Sequence, residues 1–178
     1  MVLTSEHGDG GGAHKWAAKL SLYEEAATVP FIIRYKGRVP AQNIDRNQLV
    51  SVIDLAPTIV DYAGLSSSTN FTGKSLKPVL ENPGEKLRDY LVVQLADDKL
   101  DSSRQARLIR NERYKYNLYN QGERNEQLFD LWKDPGEQHN LAYVAAYQSI
   151  KNKMHMALDE WIAATGDDFY EWSTFPNS

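Results

Sequence analysis

Four side chains near the amino terminus have the chemistry of a site: Glu6 and His7 side by side, then His14, then Lys19. A carboxylate supplies the oxygen that hard divalent cations prefer. An imidazole can ligate a metal or pass a proton, and a lysine is a compact point charge for an anion. Gly8, Gly10, Gly11 and Gly12 lie among them and would let backbone approach a ligand closely. Taken alone, a Glu-His pair beside glycines reads as a polar loop, and a short glycine run specifies no ligand. His139 reads as a turn residue, His155 as an outward helix residue, and Tyr114 and Tyr116 as sheet packing.

The elements around these residues are legible from pattern. Met1–Thr4 reads as the end of a β-strand that runs straight into the loop of residues 5–14. A natural domain rarely begins there, so the expectation is that an upstream portion precedes it. Lys19–Ala27 has helical character, and Pro30 then forces Phe31-Ile32-Ile33 into a strand expected to be buried on both faces. Ser51 and Asp54 have capping-box spacing for a helix over 55–63 closed by Gly64, with Pro57 in its first turn.

From Tyr90 the texture changes to short strands at 90–95, 106–110, 113–119 and 127–131, with Asn111-Glu112 as a two-residue hairpin connection. Tyr114, Tyr116 and Leu118 alternate with Lys115, Asn117 and Tyr119, the period of a half-buried antiparallel strand. Val144, Tyr147, Ile150, Met154, Leu158 and Trp161 then recur at spacings of three and four, predicting an amphipathic helix over 142–165 that lies across the sheet and stops at Gly166. Phe169, Trp172 and Phe175 suggest a packed tail.

The chain has 178 residues, 42% hydrophobic and 25% charged, so it can bury a real core and is not disordered by composition. A net charge of −4 without a basic stripe argues against nucleic acid as a partner. No apolar run approaches the length of a membrane span. Cysteine is absent, which excludes disulfides, thiolate metal sites and thiol catalysis. Asn70-Phe71-Thr72 is an N-glycosylation sequon that matters only on a eukaryotic secretory route.

Residues 4–25 carry a more specific signal. Thr4-Ser5-Glu6-His7-Gly8, then His14, Lys19 and Leu22-Tyr23-Glu24, resemble the sulfatase family of the alkaline-phosphatase superfamily. Further similarities follow in the family's order: Val29-Pro30, Asp54-Leu55-Ala56-Pro57-Thr58, Gly73-Lys74-Ser75-Leu76, Ile109 to Tyr116, Leu128-Phe129-Asp130-Leu131, and Asp134-Pro135-Gly136-Glu137 with Asn140-Leu141-Ala142. Nearly the whole chain is covered.

The resemblance implies an α/β fold, the C-terminal part of an alkaline-phosphatase-like sulfatase. A small antiparallel four-stranded sheet would be packed by a long C-terminal helix, and such a portion classifies as α+β when taken alone. The expected division is 1–80, the end of the α/β catalytic domain, and 81–178, the sheet-and-helix subdomain. By the same resemblance Glu6 and His7 are metal ligands, while His14 and Lys19 contact the sulfate oxygens, Lys19 as a point charge and His14 as a donor or as general acid to the leaving alkoxide.

The family usually places aspartate at position 6, so Glu6 displaces the ligand atom by one methylene. Calcium is the first expectation for the cation, with manganese or zinc as alternatives because His7 offers nitrogen. The implied function is hydrolysis of sulfate esters, with carbohydrate sulfates as one candidate substrate class. No Cys/Ser-x-Pro-x-Arg motif, which the family converts to its formylglycine nucleophile, occurs here, so the chain alone is expected to be inactive. Expected partners are a sulfated small molecule or glycan, an amino-terminal half, and another copy through the exposed sheet edge. The family's usual compartments are periplasmic, secreted or lysosomal. The competing readings are a non-catalytic module that binds a partner chain or sulfated glycan, and a hydrolase of phosphate or phosphonate esters.

Overall fold

A computed structural model describes residues 1–17, 19–66, 68–96 and 104–174. The chain forms two compact units: Met1–Glu6 with Val29–Leu91, and His7–Thr28 with the described part of Val92–Ser178.

In the first unit, β1 (Val2–Thr4) pairs antiparallel with β2 (Phe31–Ile33) in the register Val2↔Ile33, Leu3↔Ile32 and Thr4↔Phe31. Both strands are only partly covered: Leu3 is 50% and Ile32 52% exposed, so β2 is not the doubly buried strand its apolar run predicts. An apolar run shows what a strand tolerates and cannot supply the neighbours that cover it.

The helix α2 (Leu55–Tyr62) follows the expected capping box, with the Ser51 N–H donating to Asp54 Oδ2 at 2.8 Å. Asp54 is fully buried and does more than cap. It also receives the Lys74 N–H at 2.8 Å and both Arg88 guanidinium nitrogens, at 2.8 and 2.6 Å. Thr58 ties α2 to the start of α3 (Lys77–Glu81) by accepting the Leu76 N–H, and Leu49, Leu76 and Val79 are buried.

In the second unit, β3 (Leu91–Ala96), β4 (Gln105–Arg110), β5 (Tyr114–Tyr119) and β6 (Glu126–Asp130) form the sheet in sequence order, the expected meander. The connection between β4 and β5 spans residues 111–113, one residue longer than the pattern predicts. The Asn111 side chain accepts the N–H groups of Arg113 and Tyr114 and closes the turn without a glycine.

Helix α4 (Gln148–Thr165) begins later than the apolar pattern predicts, because the preceding residues form a short 3₁₀ turn at Ala145–Tyr147. Met154, Leu158 and Ile162 are its buried face and pack on Ile109, Tyr116, Leu118 and Leu128. Gly166 ends the helix at φ 67°, where a side chain would be strained. Phe169 joins this core, Trp172 is half exposed, and Phe175 lies outside the described residues. Among the described residues no helix is long and apolar enough to cross a membrane.

The alternation in β5 does not mark a solvated face. Lys115 and Asn117 are as fully buried as Tyr116. Helix α4 covers one side of the sheet, and the segment of residues 7–28 covers the other, where Leu22 packs with Ala106 and Leu108. That contact also explains why helix is confined to α1 (Glu24–Ala27). Leu20 takes a left-handed φ of 69° and Tyr23 is extended, which lets Leu22 reach the sheet.

Candidate functional site

Glu6 and His7 follow β1 in the chain, Glu6 being assigned with the first unit and His7 with the second. Gly8 comes next because no other residue fits. A Cβ there would lie 1.9 Å from the Glu25 carbonyl oxygen and 2.8 Å from that of Thr28, while the Gly8 N–H donates to the Ala26 carbonyl at 2.9 Å. The loop thus leaves the strand pressed against α1. Gly8→Ala is expected to cost about 1–3 kcal/mol through forced displacement of this backbone. An unchanged thermal unfolding curve would show that the loop passes α1 by another route.

His7 Nδ1 lies 2.6 Å from the Gly8 carbonyl oxygen. A carbonyl only accepts, so this nitrogen carries the proton and Nε2 presents its lone pair. Metal-binding histidines are commonly held in this way, the distal N–H engaged by a backbone carbonyl. Lys19 Nζ sits 3.0 Å from Nε2 and donates to it. The structure therefore brings His7 and Lys19 together across the loop, and a carboxylate at position 6 with an unprotonated imidazole nitrogen at position 7 is a chemically suitable donor pair for a divalent cation.

His14 is held differently. It lies in a tight turn at φ 53°, followed by Lys15 at 59°, a conformation that non-glycine residues seldom adopt and that recurs at functional sites. Its ring stacks on Tyr23 with centroids 3.7 Å apart and planes within 3°. Nε2 is buried without a hydrogen-bond partner and lies 3.8 Å from Glu25 Oε2. Around it the Gly12 N–H donates to the Trp16 carbonyl, and the Trp16 indole N–H donates to the Lys19 carbonyl at 2.8 Å.

His14, Glu25 and Glu137 place ligand atoms within 4.8 Å of one another. Glu137 is nevertheless already occupied. Its Oε1 is 2.7 Å from the ammonium of Lys115, and its Oε2 accepts the Glu24 N–H at 2.7 Å. Burial pushes the Glu137 carboxyl above its usual range, against the pull of Lys115 and of the Glu24 N–H. Glu137 therefore belongs to an ion-pair cluster with Lys115.

Sequence reasoning missed Lys115, Glu24, Glu137 and Arg110 as parts of the site's support. The local pattern gave no signal for this, since the alternation Tyr-Lys-Tyr-Asn-Leu-Tyr in β5 puts Lys115 and Asn117 on the polar face. A cleft of about 900 Å³ lies in the first unit between residues 31–50 and α3, and none of Glu6, His7, His14 and Lys19 lines it.

The sequence profile of a family described as N-sulphoglucosamine sulphohydrolase, C-terminal, matches residues 12–164. The chain belongs to this C-terminal sulfatase family. It is 33% identical over 172 residues to the Delta 4,5-hexuronate-2-O-sulfatase of Bacteroides thetaiotaomicron, covering 95% of this chain and 36% of that protein. A solved structure described as a 2-O GAG sulfatase superposes with a TM-score of 0.85 at 33% identity, over 96% of this chain and 37% of the other. The phosphonate monoester hydrolase of Agrobacterium radiobacter superposes with a TM-score of 0.77 at 26% identity, over 92% of this chain and 34% of the other. The chain thus spans about a third of the length of these relatives. Its fold is the mixed α/β arrangement of sulfatases and their alkaline-phosphatase-like neighbours, with the four-stranded antiparallel sheet and long C-terminal helix in place.

Proposed function

We propose that this chain is the C-terminal portion of a metal-dependent hydrolase of sulfate esters on sulfated carbohydrates, contributing part of the metal site and the sulfate contacts. The observation that carries the reading is the His7 arrangement, with Nδ1–H on the Gly8 carbonyl and Nε2 facing Lys19 at 3.0 Å. In this reading Glu6 and His7 ligate a divalent cation, calcium first and manganese or zinc as alternatives. The cation would neutralise charge that grows on the sulfate oxygens during ester cleavage.

Lys19 binds a sulfate oxygen as a point charge. His14 contacts the ester and hands a proton from its imidazole to the leaving alkoxide, which requires Nε2 to turn from its buried position. The chain holds no Cys/Ser-x-Pro-x-Arg motif, so by itself it binds the anion without turnover. The amino-terminal portion of such an enzyme is its natural partner, and the half-exposed β1–β2 ribbon offers an edge for that partner or for a second copy.

The test combines an assay of the chain on 4-methylumbelliferyl sulfate with a calorimetric titration of sulfate in the presence of calcium. The expected result is binding with no turnover, and turnover once an amino-terminal sulfatase portion is added. Absence of both binding and restored turnover would sink the reading. Lys19→Ala is expected to weaken sulfate binding about tenfold or more, since a charge-assisted contact contributes about 1.5–3 kcal/mol. Unchanged affinity would remove its assigned role.

The likeness to a phosphonate monoester hydrolase favours a second reading, in which the tetrahedral anion is a phosphonate or phosphate ester. Methylphosphonate and phosphate displacing sulfate at lower concentration than sulfate itself would support it. Binding of a sulfated oligosaccharide with no turnover even after addition of the amino-terminal portion would instead favour a non-catalytic module.

A further inference from the structure

The segment of residues 7–28 has little regular structure of its own, yet it holds a stacked histidine in a strained turn. Something must fix it, and the described contacts lead to one place in the sheet. Lys115, the second residue of β5, projects onto the face opposite α4 and is fully buried. Its Nζ lies 3.1 Å from Glu24 Oε1 and 2.7 Å from Glu137 Oε1.

Glu24 is held three times. Oε1 takes Lys115, Oε2 takes Arg110 Nη1 at 2.8 Å, and the backbone N–H donates to Glu137 Oε2 at 2.7 Å. Two cations and two carboxylates thus form a charge-balanced quartet at the base of α1. Directly before Glu24 stands Tyr23, whose ring carries His14 on its face and meets Phe129 at a centroid distance of 6.3 Å. Phe129 is the β6 neighbour of Lys115 in register.

We infer that Lys115, with Glu24, Glu137 and Arg110, is a positioning device for His14: the buried ammonium fixes Glu24, Glu24 fixes the extended Tyr23, and the Tyr23 ring sets the plane of the imidazole. The inference rests on the proposed contact of His14 with the sulfate ester only for its functional meaning, since the geometry stands without it. A quartet of this kind is a costly way to gain stability, because burying charge consumes most of what pairing returns. It does specify geometry, since only one arrangement satisfies all four groups. An apolar residue at 115 would fill the space without holding Glu24.

The experiment is aromatic ¹H–¹³C NMR of the 178-residue chain, following the His14 ring protons, which the Tyr23 face shifts upfield. Methyl resonances of Leu128 and Leu158 in the α4–sheet core report whether the unit remains folded. In Lys115→Met the His14 upfield shift is expected to disappear while the core methyls stay in place. Glu24→Gln should behave alike. Glu137→Gln should keep part of the shift, because its amide oxygen can still accept the Glu24 N–H.

A folded Lys115→Met chain with an unmoved His14 ring overturns the inference. If that variant fails to fold, Glu24→Gln decides by the same criterion. His14→Ala in the sulfate titration separates the two claims. Unchanged sulfate affinity there would defeat the role proposed for His14 and leave the positioning result standing on its own spectrum.

Discussion

Replacing Asp54 with alanine is expected to destabilise the first unit by about 3–5 kcal/mol, the range for breaking a buried ion pair by removing one partner. Four donors converge on this fully buried carboxylate: the Ser51 N–H, the Lys74 N–H and two nitrogens of Arg88. Its loss uncaps α2 and leaves a guanidinium whose side chain is 9% exposed without its counter-charge. A domain stable by about 5–15 kcal/mol would lose a large share. All four tryptophans lie in the second unit, so their fluorescence is the wrong probe. Hydrogen exchange of the α2 amides is the right one, and protection unchanged to within about 1 kcal/mol would show that the capping role of Asp54 is dispensable.

Arg107→Ala is expected to cost the second unit a similar amount, about 3–5 kcal/mol. Arg107 and Asp167 are 4% and 1% exposed at their side chains and meet through two nitrogens, Nε at 3.0 Å from Oδ2 and Nη2 at 2.9 Å from Oδ1. Gln94 and the Phe169 N–H also donate to the carboxylate, and the guanidinium lies 5.0 Å from the Phe169 ring. The pair therefore fastens the chain beyond α4 to β4.

The pH dependence of this pair has a definite sign. Burial alone would raise the Asp167 carboxyl, but the bonds from Arg107, Gln94 and Phe169 and the charge of Arg107 bring it below its usual range. A lowered folded-state value means that this stabilisation is present above an unfolded value of about 3.9 and disappears as pH falls through the folded one. In Arg107→Ala the bonds and charge of the arginine are lost while burial and the bonds from Gln94 and Phe169 remain, so the folded value rises and the gain in stability with rising pH is expected to shrink. Urea unfolding followed by tryptophan fluorescence from pH 3 to 6 distinguishes the two slopes. Parallel curves for the two proteins would remove Arg107 as the cause.

The elements themselves were largely legible because local patterns carry them. The Ser51–Asp54 spacing announces α2 through a bond between residues three apart. The three-and-four recurrence of Met154, Leu158 and Trp161 places α4, and Gly166 ends it. The four strands fall within one residue of their expected edges, since alternation and turn residues are read over a few positions. Helix over 19–23 was misplaced because local propensity favours it while Leu22 is recruited by Ala106 and Leu108, more than eighty positions away.

The site divides along the same line. The succession of landmarks from Thr4 to Ala142 marks the sulfatase family, which the profile match over residues 12–164 bears out, and Glu6, His7, His14 and Lys19 are proposed as site residues through that resemblance. Only the tertiary structure decides that Lys115 is buried, that it pairs with Glu24 across 91 positions, and that Glu137 receives the Glu24 N–H across 113. Alternation along β5 states which residues share a face but not what covers it. Both faces are covered here, so a lysine that pattern alone assigns to solvent lies instead beneath the loop that carries His14.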